Sequence, residues 1–239
     1  MRRLLLLSGM LLAGVLAVAP AAQASSSSKC NGTTSGKTIK GDLVVPSGAV
    51  CQLINSTVRG DVTVRGGGFF QATHSTVRGD VKSKRSQTLF IESGSTVKGD
   101  VEADRTSQVF LFDSSISGSI AVERADDKVN ICGMTVRKDI GVEHSGRDIL
   151  VGDPLAIDCA GNLVKRGNVS VEDNFTDVEL VIRGNTIKRG DLEVKRNGGP
   201  AGKFVSSNVG GDRLACSGNS NPFTDLSNTG WNKRSGQCA

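Results

Sequence analysis

Two charged columns run through this chain. Basic side chains stand at Lys40, Arg59, Arg78, Lys98, Arg137, Arg166 and Arg189. A few positions on come Asp42, Asp61, Asp80, Asp100, Asp139, Asp191 and Asp212, with Ser119, Asn168 and Asn232 completing the second column. Regularly spaced carboxylates can bind cations, or supply the paired acids of a glycoside hydrolase. Regularly spaced cations can hold a polyanion. The competing reading is structural: adjacent columns of opposite sign offset each other's repulsion, and exposed pairs of this kind contribute only about 0–1 kcal/mol each. The structural reading is the expectation taken forward. The candidate binding face is the cleanest part of the two columns: Arg59, Asp61, Arg78, Asp80, Lys98 and Asp100.

Other constellations are weaker. Gly32-Thr33-Thr34-Ser35-Gly36-Lys37-Thr38 resembles a phosphate loop but has one residue too few between its glycines, and it precedes a strand pattern rather than a helix. There is no Gly-x-Ser-x-Gly elbow. His74 and His144 lie far apart without metal-ligand spacing, so both are expected to face solvent. Arg59-Gly60-Asp61, Arg78-Gly79-Asp80 and Arg189-Gly190-Asp191 match an adhesion tripeptide that is usually read from a protruding loop, whereas here strands are expected. Thr57, Thr76, Thr96, Thr135 and Thr186 form a stack of the kind used by ice-binding solenoids, but charges stand beside it. No cofactor or metal site is expected. The enzyme alternative, a hydrolase or lyase acting on polysaccharide, rests on the aspartates alone, and a carbohydrate groove usually needs more aromatics than one Trp and no Tyr.

These columns exist because one unit is repeated. Ser56-Thr57-Val58-Arg59-Gly60-Asp61-Val62 returns at 75–81 and 95–101. Taking the Gly as reference, the register runs Gly41, Gly60, Gly79, Gly99, Gly118, Lys138, Gly167, Gly190, Gly211 and Trp231, with gaps of 19, 19, 20, 19, 20, 29, 23, 21 and 20. Aliphatic residues two before and two after the Gly alternate with polar ones, a period of two that means strand with one face buried. A constant period near 20 predicts that each repeat is one coil of a parallel β-solenoid, with equivalent residues stacked roughly 4.8 Å apart. The missing six-residue sub-repeat favours a right-handed helix over the left-handed hexapeptide form. Phe70, Phe90 and Phe110 are expected to stack as an interior ladder, and Trp231 to cap the open end. An extra residue before Gly167 and Gly190 should be absorbed by a bulge. The gap of 29 should hold an irregular insertion around 146–159, with Gly152-Asp153-Pro154 as its turn.

The six cysteines fit this frame. Neighbour spacings of 21, 27 and 22 approximate one coil, or one coil plus the insertion, so Cys30–Cys51, Cys132–Cys159 and Cys216–Cys238 are the expected disulfides. Each would contribute about 3 kcal/mol in the chain-entropy model. Disulfides require an oxidising compartment. Arg2 and Arg3, an apolar run from Leu4 to Val18 and Ala22-Gln23-Ala24 predict a signal peptide over 1–24, leaving one domain over 25–239. Without Arg2 and Arg3 the chain has 27 basic residues against 24 acids, a net charge of +3. That balance is too mild for a nucleic-acid partner, and no second apolar run calls for membrane insertion after cleavage.

The Cys30–Cys51 block with Gly41-Asp42-Leu43-Val44-Val45-Pro46, the Ser-Thr-Val-x-Gly-Asp-Val coils and the closing Cys216-Ser217-Gly218-Asn219…Gly236-Gln237-Cys238 resemble a group of small secreted actinobacterial β-helix repeat proteins. The resemblance covers nearly all of the chain after residue 24 and implies a right-handed β-helix. In coil style the chain is also similar to the bactofilins, cytoplasmic polymer-forming scaffolds, from which it departs by its signal peptide and its end disulfides. Pinned ends disfavour self-association by edge-to-edge stacking. The expected role is therefore a non-enzymatic secreted structural or binding protein of the cell envelope or matrix, with extracellular polysaccharide or another envelope protein as partner.

Overall fold

The computed structural model describes residues 27–153 and 159–239; the expected signal peptide and Pro154 of the expected turn lie outside them. The two-residue alternation builds strands throughout, and every strand pairs in parallel with its counterpart one coil away. Three sheets result. Sheet I has eleven strands, from Ser27–Lys29 to Lys233–Gly236; sheet II has ten, from Gly32–Ser35 to Phe223–Leu226; sheet III has eight two-residue strands, from Thr38–Ile39 to Thr186–Ile187. Most coils contribute one strand to each sheet, and in the last two coils the third face continues only as isolated bridges at Val209 and Thr229, so the described chain is a three-faced β-solenoid of about ten coils with the expected period.

The core is a set of inward columns. Sheet I contributes pairs such as Val62 and Val64, or Ile120 and Val122; sheet II such as Leu89 and Ile91; sheet III one residue per coil, as in Val58, Val77, Val97 and Val136. All are fully or almost fully buried. Two polar residues interrupt these columns, Ser83 in sheet I and, more sharply, a lysine in sheet II. Lys203 stands in line with Leu180 and Phe223 and is wholly buried; its Nζ donates to the carbonyls of Gly199 (2.9 Å) and Ala201 (2.7 Å). Burial pushes its pKa below the ordinary lysine value.

Polar ladders line the corners on the inside. Between sheets II and III, Ser56 and Ser75 each donate a backbone N–H to the hydroxyl one coil on, at 3.1 Å. Further along, Asn162, Asn185, Asn208 and Asn228 take over: the first Oδ1 accepts the backbone N–H of Met134, each later Oδ1 accepts the backbone N–H and side-chain amide of the preceding asparagine, and each Nδ2 donates to a carbonyl. Asn174, Asn197 and Asn219 do the same between sheets I and II. A corner backbone turned inward would otherwise leave donors unpaired beside an apolar core, which costs about 1–3 kcal/mol per group.

Two expectations are corrected. The phenylalanines do not form an interior ladder. Phe70 is buried, but its neighbours in register are Cys51 and Leu89; Phe90 pairs with Gln71 and points outward. The coil step there is 19 rather than 20, and a one-residue slip moves a side chain to the opposite face. Phe90 and Phe110 instead meet Phe112 on the outer face of sheet II, with centroids 5.3–6.0 Å apart. Nor does the insertion begin at 146. Gly146–Gly152 is a strand of sheet II with Ile149 and Val151 facing in, and the extra residues fall between Gly152 and Leu163. The single-residue excesses before Gly167 and Gly190 are absorbed at the corner, since Val136 pairs with Val164 and Ile140 with Val169 on either side of the first. A larger bulge interrupts Phe175–Arg183 after Phe175. Trp231 lies over Gly210 and packs on the core from the last coil.

All three expected disulfides form, with Cα separations of 5.5, 5.9 and 5.3 Å. The partners are not stacked equivalents: Cys51 is in register with Gly32, and Cys216 with Gly236, each two positions from its bonded cysteine. That offset is why the end spacings exceed one coil. The end pairs lie within the core, whereas Cys132 follows Phe112 in an outward column, so its bridge fastens Cys159 against the outside of sheet II. Non-reducing peptide mapping should recover these three pairs; a Cys51–Cys132 peptide would contradict the coil register.

Candidate functional site

The aspartate column occupies the corner between sheets III and I, and it is mostly employed in holding coils together. The backbone N–H of Asp61 donates to Asp42 Oδ1 (3.0 Å), that of Asp80 to Asp61 Oδ1 (2.9 Å), that of Asp100 to Asp80 Oδ1 (2.9 Å), and that of Ser119 to Asp100 Oδ1 (2.7 Å). The series resumes with Asn168 on Asp139 (2.9 Å) and Asp191 on Asn168 (2.8 Å). This geometry explains the glycine. At Gly60, Gly79, Gly99 and Gly118 a Cβ would come within 2.0–2.1 Å of the aspartate oxygen one coil below and 2.6–2.8 Å of backbone there, so the requirement is space for the carboxylate and for the close approach of the two backbones. The exception fits: Lys138 replaces the glycine where the residue below is Ser119, whose shorter side chain meets Asp139 N–H at a longer 3.4 Å.

The column's charge is partly neutralised as well. Asp80 pairs with Lys82 (3.3 Å), Asp100 with Lys138 (4.0 Å) and Asp191 with Arg213 (3.1 Å). The Asp100 backbone N–H, ahead of Lys82, holds the Asp80 carboxyl below its usual value of 3.8.

The basic column behaves differently. Lys40, Arg59, Arg78, Lys98, Arg137, Arg166 and Arg189 are all exposed on or just beyond the outer face of sheet III. None of their side chains makes a hydrogen bond or an ion pair among the described residues. The expected mutual offset of the two columns is thus not what the structure shows: the aspartates turn to the backbone and the cations are left to solvent. The bulged coils add Lys165 and Lys188, also exposed, which the register based on one residue per coil had passed over. Cations stacked about one strand spacing apart repel by up to ~1 kcal/mol per neighbouring pair even in water. On and beside sheet I the pattern is mixed: Arg124, Lys195, Arg196 and Arg213 lie against carboxylates, whereas Lys84 on its strand and Arg85 and Arg105 at its corner make no ion pair among the described residues.

Between Lys40 and Arg189 the basic column has one gap, at Ser117. There the surface dips into a notch of about 380 Å³ lined by Ser115, Ser117, Thr135, Arg137, Lys165 and Arg166. A second groove, of about 450 Å³, lies at the corner between sheets I and II, where the bulge lifts Phe175 to 64% exposure beside Arg124, His144, Arg147, Asp173 and Asp177. Arg196 holds Asp173 through two hydrogen bonds of 2.7 Å, and that guanidinium keeps its carboxyl below the ordinary range. His74 and His144 occupy exposed corner positions of positive φ. The Arg-Gly-Asp at 59–61 runs off a sheet III strand into a corner where its carboxylate is bonded to backbone rather than displayed on a loop. No grouping of three or more His, Cys, Asp or Glu side chains able to hold a metal occurs among the described residues.

A scan of protein-family models, a search of curated proteins and a search of solved structures each returned no match. The site is therefore read from its own geometry.

Asp80 tests the ladder. Asp80→Asn keeps an acceptor, as Asn168 does naturally, and should change stability little. Asp80→Ala strands the Asp100 N–H and should cost about 1–3 kcal/mol by denaturant unfolding. A carboxyl whose folded pKa is depressed contributes stability above its unfolded value near 3.8 and loses it as pH falls through the folded value. The melting temperature should accordingly fall on acidification below about pH 4, less steeply in Asp80→Asn than in the parent.

Proposed function

We propose that this protein is a non-enzymatic extracellular structural or binding protein of the cell envelope or matrix, a rigid rod offering ladders of side chains to an extended partner. The observation that carries the reading is the use made of the aspartates. The column that would have to supply catalytic acids instead accepts backbone N–H groups from coil to coil. A hydrolytic general acid needs a carboxyl pKa raised toward neutrality; Asp80 in the column and Asp173 in the corner groove are both lowered. Three disulfides are consistent with an oxidising, extracellular setting. The signal sequence read over 1–24 would deliver the chain there by the general secretory route, and the resemblance to small secreted actinobacterial β-helix proteins points the same way. The partner is extracellular polysaccharide or another envelope protein. The disulfides buried in both end coils, with Trp231 packed on the last, oppose growth into filaments.

A glycan array run together with an activity screen on acidic polysaccharides tests the proposal. Retention of one or more glycans without release of product is expected; turnover of any of them would overturn it in favour of the hydrolase or lyase alternative.

A further inference from the structure

We infer that the outer face of sheet III is a binding track for a linear acidic polysaccharide, anchored at the notch over Ser117. The inference rests on the extracellular binding role proposed above and names its ligand class and site.

Four observations converge on this face. First, its outward strand positions carry hydroxyls or cations and no acid: Thr57 and Arg59, Thr76 and Arg78, Thr96 and Lys98, Thr135 and Arg137, with Leu163 the one apolar member. Second, none of these cations has an ion pair among the described residues, whereas on and beside sheet I Lys82, Arg124, Lys195, Arg196 and Arg213 lie against carboxylates and only some, such as Lys29, Lys84 and Lys233, do not. A self-repelling column without internal counter-charges is relieved by an external anion. Third, the nearest acids are turned away: Asp61, Asp80, Asp100 and Asp139 each commit an oxygen to backbone. Fourth, the notch supplies a half-open concavity on this face, with three cations and three hydroxyls around it. Arg137 and Arg166 can clamp a carboxylate through paired N–H donors, Lys165 adds a point charge, and the hydroxyls suit sugar oxygens.

The geometry selects a linear ligand. Cations recur once per coil, at about the 4.8 Å strand spacing, close to the length of one sugar ring. A polymer with a carboxylate on each sugar can therefore lie along the solenoid axis and meet successive coils. A compact anion would engage the notch alone and lose the track.

Linear polygalacturonate is a suitable probe, titrated into the folded, disulfide-bonded protein by calorimetry, with neutral dextran and inorganic polyphosphate alongside. Binding to polygalacturonate is expected at about 0.05 M salt and should be largely lost near 0.5 M, where screening is strong; dextran should not bind. Arg137→Gln/Lys165→Gln/Arg166→Gln should weaken binding by about tenfold or more, with an unchanged melting temperature because these side chains hold nothing in the fold. Arg137→Lys/Arg166→Lys should retain binding partly. Lys82→Gln/Lys195→Gln on sheet I removes two charges elsewhere and should alter affinity less than about twofold. Absence of binding, an equal loss in the sheet I variant, or polyphosphate binding as tightly as polygalacturonate would overturn the inference. In each of those cases the extracellular binding role would still be judged by the glycan array, whereas release of sugar from polygalacturonate would defeat that role itself.

Discussion

The structure depends on how a parallel coil turns its corners. Within each sheet the strands satisfy one another's backbone groups, but at every corner the chain leaves the ladder and exposes N–H groups that face a neighbouring coil, the earlier one at the aspartate corner and the later one at the other two. This molecule meets the demand with side-chain oxygens repeated in register: aspartates outside, between sheets III and I, and serines then asparagines inside the other two corners. Each ladder makes the acceptor of one coil the support of the next, so a coil is stable chiefly because it has a neighbour. The ends, which lack one neighbour, receive the disulfides.

Function follows from what that corner chemistry leaves over. The aspartates are drawn into the backbone, so the cations one step back on sheet III are not neutralised by them. The same repeat places cations on sheet I, but there acids stand in adjoining strand and corner positions and several of the charges pair. Two faces built by one copying process thus differ: sheet I mixes cations with acids and compensates part of its charge, whereas sheet III is positive and regular. The two enlarged coils break the regularity and give each face a concavity, one lined by hydroxyls and cations, the other by Phe175, His144 and acids.

Much of this was legible from spacing. The repeat of Gly-Asp pairs implied the solenoid, and the cysteine intervals implied the pairing. Other features carried a signal that went unread. Asn162, Asn185 and Asn208 recur at intervals of 23, and Asn228 follows at 20, the steps between the strand partners beside them; isolated asparagine is common in turns, so only the interval carries the signal. The Phe70, Phe90 and Phe110 spacing misled for the opposite reason, being regular without matching the local coil step. Strand 146–152 begins with Gly-Arg-Asp, a turn-like composition, and its burial shows only when it is aligned under Lys128–Cys132.

What the sequence by itself determined is the architecture: a period near 20 with two-fold alternation can bury its apolar residues only by stacking coils, and the cysteine intervals then admit one pairing. What only the tertiary structure decided is which charges meet. Sequence places Arg and Asp two residues apart and invites pairing between them, but the direction of each side chain depends on the neighbouring coil. The N–H group that captures each carboxylate belongs to a residue some 19 or 20 positions later. That capture explains the glycine, frees the basic column and gives sheet III its character.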